Sequence, residues 1–177
     1  MDFLLHVSRL IDYANEKVGR AVYWLVLAAV LISSLNAVVR YAFNVSSNAW
    51  LELQWYLFSA VFLLSAGYTH LRNEHIRIDI VITRFSLRVR AWIDILGGIF
   101  FLLPMAILIF WLSLPFVMES FVRQEMSTDA GGLLRSPVKL LLPIGFALLI
   151  LQGFSEIVKR IGFLLGKRGD PAARPEV

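Results

Sequence analysis

Ser33, Asn36 and Arg40 follow one another at spacings of three and four residues, and Glu52, Tyr56 and Ser59 do the same. Residues so spaced share one face of a helix. A tight hairpin between the two sets brings Arg40 and Glu52 to similar depth. The chemistry of such a set is hydrogen bonding and ion pairing. In lipid a polar side chain needs a partner, and a bond between spans contributes on the order of 0.6–2 kcal/mol. Such a face serves either as a contact surface for another membrane subunit or as glue within one bundle.

Groups suited to catalysis or transport are few. No Asp, Glu, Lys or Arg lies near the middle of an apolar stretch: Asp94 and Glu156 stand at inner edges and Glu52 at an outer edge, where each marks an interface or caps a helix. Ion-coupled carriers place ionisable groups or broken helices at the midplane. The histidines, His6, His70 and His75, fall in or beside inner segments, whereas a membrane haem wants paired histidines on facing helices. There are no cysteines, hence no disulfides and no thiolate metal sites. P-loop, HExxH and GxSxG motifs are missing from the sequence. No enzyme, no metal and no resident cofactor is expected.

The elements that position these residues are four apolar stretches, Ala21–Val39, Leu53–Leu71, Ile95–Met118 and Leu140–Ser155. At about 1.5 Å per helical residue, some 20 residues cross a hydrocarbon core of about 30 Å. The chain is 58% hydrophobic and 17% charged, more apolar than a soluble domain of its length can bury. Arg9, Lys17 and Arg20 precede the first stretch, Arg72, Arg77, Arg84, Arg88 and Arg90 follow the second, and Lys159, Arg160, Lys167, Arg168 and Arg174 follow the last. Only Arg40, Arg123, Arg135 and Lys139 lie on the other side. Thirteen cations against four put both termini in the cytoplasm, because Lys and Arg resist translocation. The net charge of +4 reflects these flanking cations, so nucleic acid is not an expected partner; membrane lipids are.

The expected fold is all-α and integral to a membrane, with four transmembrane helices, N-in and C-in. Spans run over about 21–41, 50–71, 92–117 and 138–160 in one domain of residues 1–165, followed by a disordered cytoplasmic tail over 166–177. Aromatic residues cluster at the ends of the stretches, including Tyr23, Trp24, Tyr41, Trp50, Trp55, Tyr68 and Trp92, as at headgroup level. Between the second and third spans, Ile78, Ile82, Phe85, Val89 and Trp92 share one helical face and Arg77, Arg84 and Arg88 another. This predicts an amphipathic helix over 78–90 on the cytoplasmic surface, with Arg77, Arg84 and Arg88 toward lipid headgroups. The outer segment Glu119–Lys139 must break at Ser127–Gly132, while Pro137 suits the start of the fourth helix. Pro104, Pro115 and Pro143 are candidate bends.

Three stretches carry a family resemblance: Asn36-Ala37-Val38-Val39-Arg40-Tyr41-Ala42-Phe43, Trp50-Leu51-Glu52-Leu53-Gln54, and His75-Ile76-Arg77-Ile78-Asp79. Gly131-Gly132-Leu133-Leu134-Arg135-Ser136-Pro137-Val138-Lys139, then Leu142-Pro143-Ile144-Gly145-Phe146 and Leu151-Gln152-Gly153, extend it. In this order they resemble the small membrane subunit (DctQ-like) of tripartite ATP-independent periplasmic (TRAP) transporters, from about Ala21 to Arg160. One departure is Ser136, where a tryptophan is expected before the proline. The resemblance implies a larger multi-span membrane subunit and a periplasmic substrate-binding protein as partners, in the bacterial inner membrane. It implies that sodium and substrate, mostly organic acids, bind the larger subunit, which this one braces. Asn36, Arg40, Trp50, Glu52 and Tyr56 are then the candidate partner contacts. The rival classes are a cytochrome-like anchor of a redox complex and a small oligomeric exporter.

Overall fold

The computed structural model describes residues 1–44, 47–73 and 85–167. Four helices among them are long and apolar enough to cross a membrane: α1 (Asp2–Phe43), α2 (Asn48–Leu71), α3 (Leu87–Val122) and α4 (Ser136–Leu164). They run antiparallel in sequence. The end that carries Met1 and Leu164 is termed inner, the opposite end outer.

α1 begins far ahead of its apolar stretch. Residues 2–20 contain no proline, and Leu4, Leu5, Arg9, Leu10, Ala14, Glu16, Lys17 and Arg20 among them are good helix formers. Glu16 and Arg20 add an i,i+4 ion pair at 3.1 Å. The helix stops at Asn44, whose left-handed φ of 52° turns its N–H onto the Arg40 carbonyl at 3.1 Å. α2 ends likewise at Asn73, φ 56°, with its N–H on the His70 carbonyl at 3.1 Å. α3 contains one wide π turn, Gly98–Leu102, ending two residues before Pro104. A proline ring collides with the carbonyl four residues back; here that residue is Phe100, inside the π turn, where the widened spacing relieves the clash. Pro115 and Pro143 lie within α3 and α4, and Pro137 is in the first turn of α4.

Of the expected surface helix over 78–90, residues 78–84, with Arg77 beside them, lie outside the described residues. Ser86 is extended (φ −62°, ψ 155°), and Leu87–Arg90 form the first turn of α3. The 168–177 part of the expected tail also lies outside them.

α4 is the spine. Of its most apolar stretch 44% is buried, against 6%, 6% and 11% for α1, α2 and α3. α1 packs on α2 and α4, α2 on α4, and α3 chiefly on α4. Close approach depends on small residues: a Cβ added at Gly145 of α4 would lie 2.6 Å from the Leu63 carbonyl of α2. α3 turns Ala106, Ser113, Val117 and Ser120 inward at near-heptad spacing, and leaves Phe101, Leu108, Trp111 and Leu112 outward. The outer half of α1 presents Leu27, Leu31, Leu35 and Val38 outward as well. In water such faces would drive association; for a membrane helix they meet lipid or another subunit.

Candidate functional site

At the outer end, the α3–α4 connection folds on itself before meeting α2. α3 stops at Val122, and Gln124 takes a left-handed φ of 48°. Met126 and Leu134 then face each other as an antiparallel bridge. Ser127 N–H donates to the Leu133 carbonyl at 3.0 Å, and Arg135 N–H to the Glu125 carbonyl at 2.8 Å. The reversal is made at Asp129–Gly132, closed by Gly132 N–H on the Asp129 carbonyl at 3.0 Å, with Gly131 at φ 73°. A side chain at 131 would be strained there.

Three residues of α2 hold this reversal. Glu52 accepts from the Ser127 hydroxyl at Oε1 and from the Leu133 N–H at Oε2, the latter at 2.6 Å. Asn48 Nδ2 donates to the Ala130 carbonyl at 3.0 Å and Tyr56 Oη to the Leu134 carbonyl at 3.2 Å. Gly132 leaves room for Glu52, since a Cβ there would lie 2.8 Å from Oε1. On the other flank Lys139 pairs with Glu125 and sits 3.9 Å from the centre of the Phe116 ring. The ammonium of Lys139 holds the Glu125 carboxyl below its ordinary value.

The candidate contacts therefore separate. Glu52 and Tyr56 direct their polar atoms into the chain itself. Asn36 and Trp50 come together around a shallow notch of about 110 Å³, with Leu35, Val39 and Ser47. Arg40 is exposed and has no ion-pair partner among the described residues; the structure does not bring it to Glu52. Ser33 Oγ reaches Gln54 Oε1 at 3.3 Å, tying α1 to α2. Arg88 is exposed on the first turn of α3, while Arg77 and Arg84 lie outside the described residues.

The inner end holds a second set of polar contacts, in which the sequence singled out Asp94 and Glu156 as interface marks or caps and gave Ser8, Asp12 and Asn15 no role. Ser8 Oγ meets Ser155 Oγ at 2.7 Å. Asp12 Oδ1 accepts from Ser155 at 2.7 Å and Gln152 at 2.9 Å, and Asn15 Nδ2 donates to Gln152 Oε1 at 2.9 Å. Lys159 lies 3.1 Å from Asp12 and also pairs with Glu156. Ser8, Asn15, Gln152 and Ser155 are almost wholly buried. This seam joins the first turns of α1 to the last turns of α4. Its trace in the sequence is the helical spacing of Ser8, Asp12 and Asn15 against that of Gln152, Ser155 and Lys159, obscured because hydropathy puts residues 1–20 outside the apolar run. Asp94 of α3 and Arg160 of α4 pair at 3.1 Å, and Glu16 of α1 with Arg72 at the end of α2 at 2.6 Å. Tyr23 and Tyr68, both expected at headgroup level, stack edge to face with centroids 6.4 Å apart.

Among the described residues, no group of three or more His, Cys, Asp or Glu is placed to hold a metal. The charged pairs fasten the helices to one another at the inner end.

The family model for tripartite ATP-independent periplasmic transporters, DctQ component, matches residues 29–162. No curated protein and no solved structure matches the chain significantly. The matched span takes in α2, α3, the outer reversal, nearly all of the α4 spine and the outer third of α1. The chain belongs to the DctQ family, as the small multi-pass membrane component of a tripartite transporter.

Proposed function

We propose that this chain braces a larger multi-span transport subunit in the bacterial inner membrane, with both termini cytoplasmic. That subunit, not this one, takes up organic acids on a sodium or other ion gradient, supplied by a periplasmic substrate-binding protein. The observation that carries the reading is the placement of charge. Among the described residues every Asp, Glu, Lys and Arg of the four helices stands outside the apolar stretches 21–39, 53–71, 95–118 and 140–155, and the buried ones are paired within the chain. Nothing ionisable remains at mid-depth to coordinate a coupled ion. The exposed aliphatic and aromatic faces of α1 and α3 give the large subunit apolar surface to pack on, and the Asn36–Trp50 notch with Arg40 gives it a polar contact at the outer rim.

Reconstitution tests the proposal. Proteoliposomes with this chain alone should show no sodium-dependent organic-acid uptake, and adding the large subunit and binding protein should restore it. Uptake by the isolated chain would refute the bracing role.

A further inference from the structure

A cleft of about 340 Å³ opens between the inner ends of α2, α3 and α4. Ile93 and Leu102 form its apolar wall, and the π turn Gly98–Leu102 lies along it. Gly97 faces its open part, where an added Cβ would meet no atom within 4 Å. Arg160, Asp94, Glu156 and His70 stand at its polar side.

Arg160 is the unusual member. Its side chain is 8% exposed, with Nη2 3.1 Å from Asp94 Oδ2. Its Nε is buried and has no acceptor among the described residues. A buried guanidinium N–H left unmatched is costly, so an acceptor supplied from outside the chain would be held firmly. Glu156 takes Gln152 and Lys159 on Oε1, and its second oxygen has no partner among the described residues. The cleft thus pairs one donor that needs an anion with a carboxylate face that repels a wholly anionic ligand.

Depth narrows the ligand. Asp94 immediately precedes the apolar run of α3 and Glu156 immediately follows that of α4, so the polar side of the cleft lies at headgroup level and Leu102 lies below it, among acyl chains. We propose that the cleft binds a zwitterionic phospholipid of the adjoining leaflet. Its phosphate lies against the Arg160 guanidinium, which rotates to bring the covered Nε to it, its primary ammonium faces Glu156 and Asp94, and one acyl chain follows Leu102.

The probe is phosphatidylethanolamine, with phosphatidylglycerol as the anionic competitor. Full-length protein equilibrated in micelles holding equal amounts of both, then examined by native mass spectrometry, should retain the zwitterionic lipid about tenfold over the anionic one. Gly97→Leu fills the cleft without removing a polar group and favours the helix; it should abolish that retention while the protein stays folded. Arg160→Gln should lose it as well. Equal retention of both lipids by the wild type, or undiminished retention by Gly97→Leu, would overturn the proposal. Soluble phosphoethanolamine separates the possible sources: thermal protection equal to that given by the intact lipid would assign the site to a free phosphate compound and overturn the lipid assignment.

Discussion

The Leu133 N–H donates to Glu52 Oε2 at 2.6 Å, so a carboxylate near the start of α2 fixes the outer reversal between α3 and α4. The other oxygen takes Ser127. α2 and α3 touch little directly, since both rest on α4. Glu52 therefore links two helices that the apolar packing does not join.

Replacing Glu52 with Ala should free the reversal. Amide hydrogen exchange at Leu133 and Gly132 should accelerate by about tenfold or more, because the acceptor of one N–H is lost and the turn loses its support. Helical content should hardly change. Unaltered protection at Leu133 would show that the strand-like bridge alone maintains the turn.

Arg40 should matter for assembly and not for the fold. Arg40→Ala should leave the thermal stability of the isolated chain within about 0.5 kcal/mol, as for an exposed side chain, yet lower the amount of large subunit that co-purifies. Exchanging the charges, Arg40→Glu with Glu52→Arg, should not restore the complex, since Glu52 is occupied by the loop. Rescue by the exchange would mean that the two residues pair in the assembled transporter.

Lys159 should be the most sensitive residue of the inner seam. It is nearly buried and neutralises both Asp12 and Glu156. Lys159→Ala leaves two partly buried carboxylates facing each other and should cost on the order of 2–4 kcal/mol, measured by unfolding in mixed micelles. Adding Asp12→Ala should recover part of the loss, the sign of direct coupling. Strict additivity of the two changes would argue against the pair.

The outer loop should loosen in acid. Lys139 holds Glu125 below its ordinary value of 4.5. A carboxyl lowered on folding contributes stability above the unfolded value, and that contribution disappears as pH falls through the lowered, folded one. Hydrogen-exchange protection of residues 126–135, corrected for intrinsic exchange, should therefore be flat above about pH 5 and decline below it. Glu125→Gln should remove the decline attributable to this pair. A loop that loosens identically in both proteins would place the acid sensitivity elsewhere.

Topology is open to a direct test. With thirteen cations on one side and four on the other, a phosphatase fused at Val177 should be inactive, and one inserted between Asn44 and Asn48 should be active. The opposite pattern would invert the protein in the membrane.

Hydropathy determined the four helices from the sequence alone, and for a physical reason: crossing a bilayer depends on a sum over some twenty residues, which no single contact can reverse. The turns were legible as well. Asn44 and Gly131 occupy left-handed conformations that few other residues accept. Which polar groups meet was not legible. Arg40 and Glu52 have matching depth and opposite charge, but pairing depends on the rotation of each helix about its axis and on what else arrives there. The 127–133 reversal reaches Glu52 first. Residues 2–20 look like a tail because their charges lower the local hydropathy, yet they continue α1 and bury Ser8 and Asn15 against α4. Register between helices distant in sequence decides such contacts, and that register is a property of the packed bundle, set where Gly145 lets α4 approach Leu63 and where Gln152 finds Asp12 and Asn15.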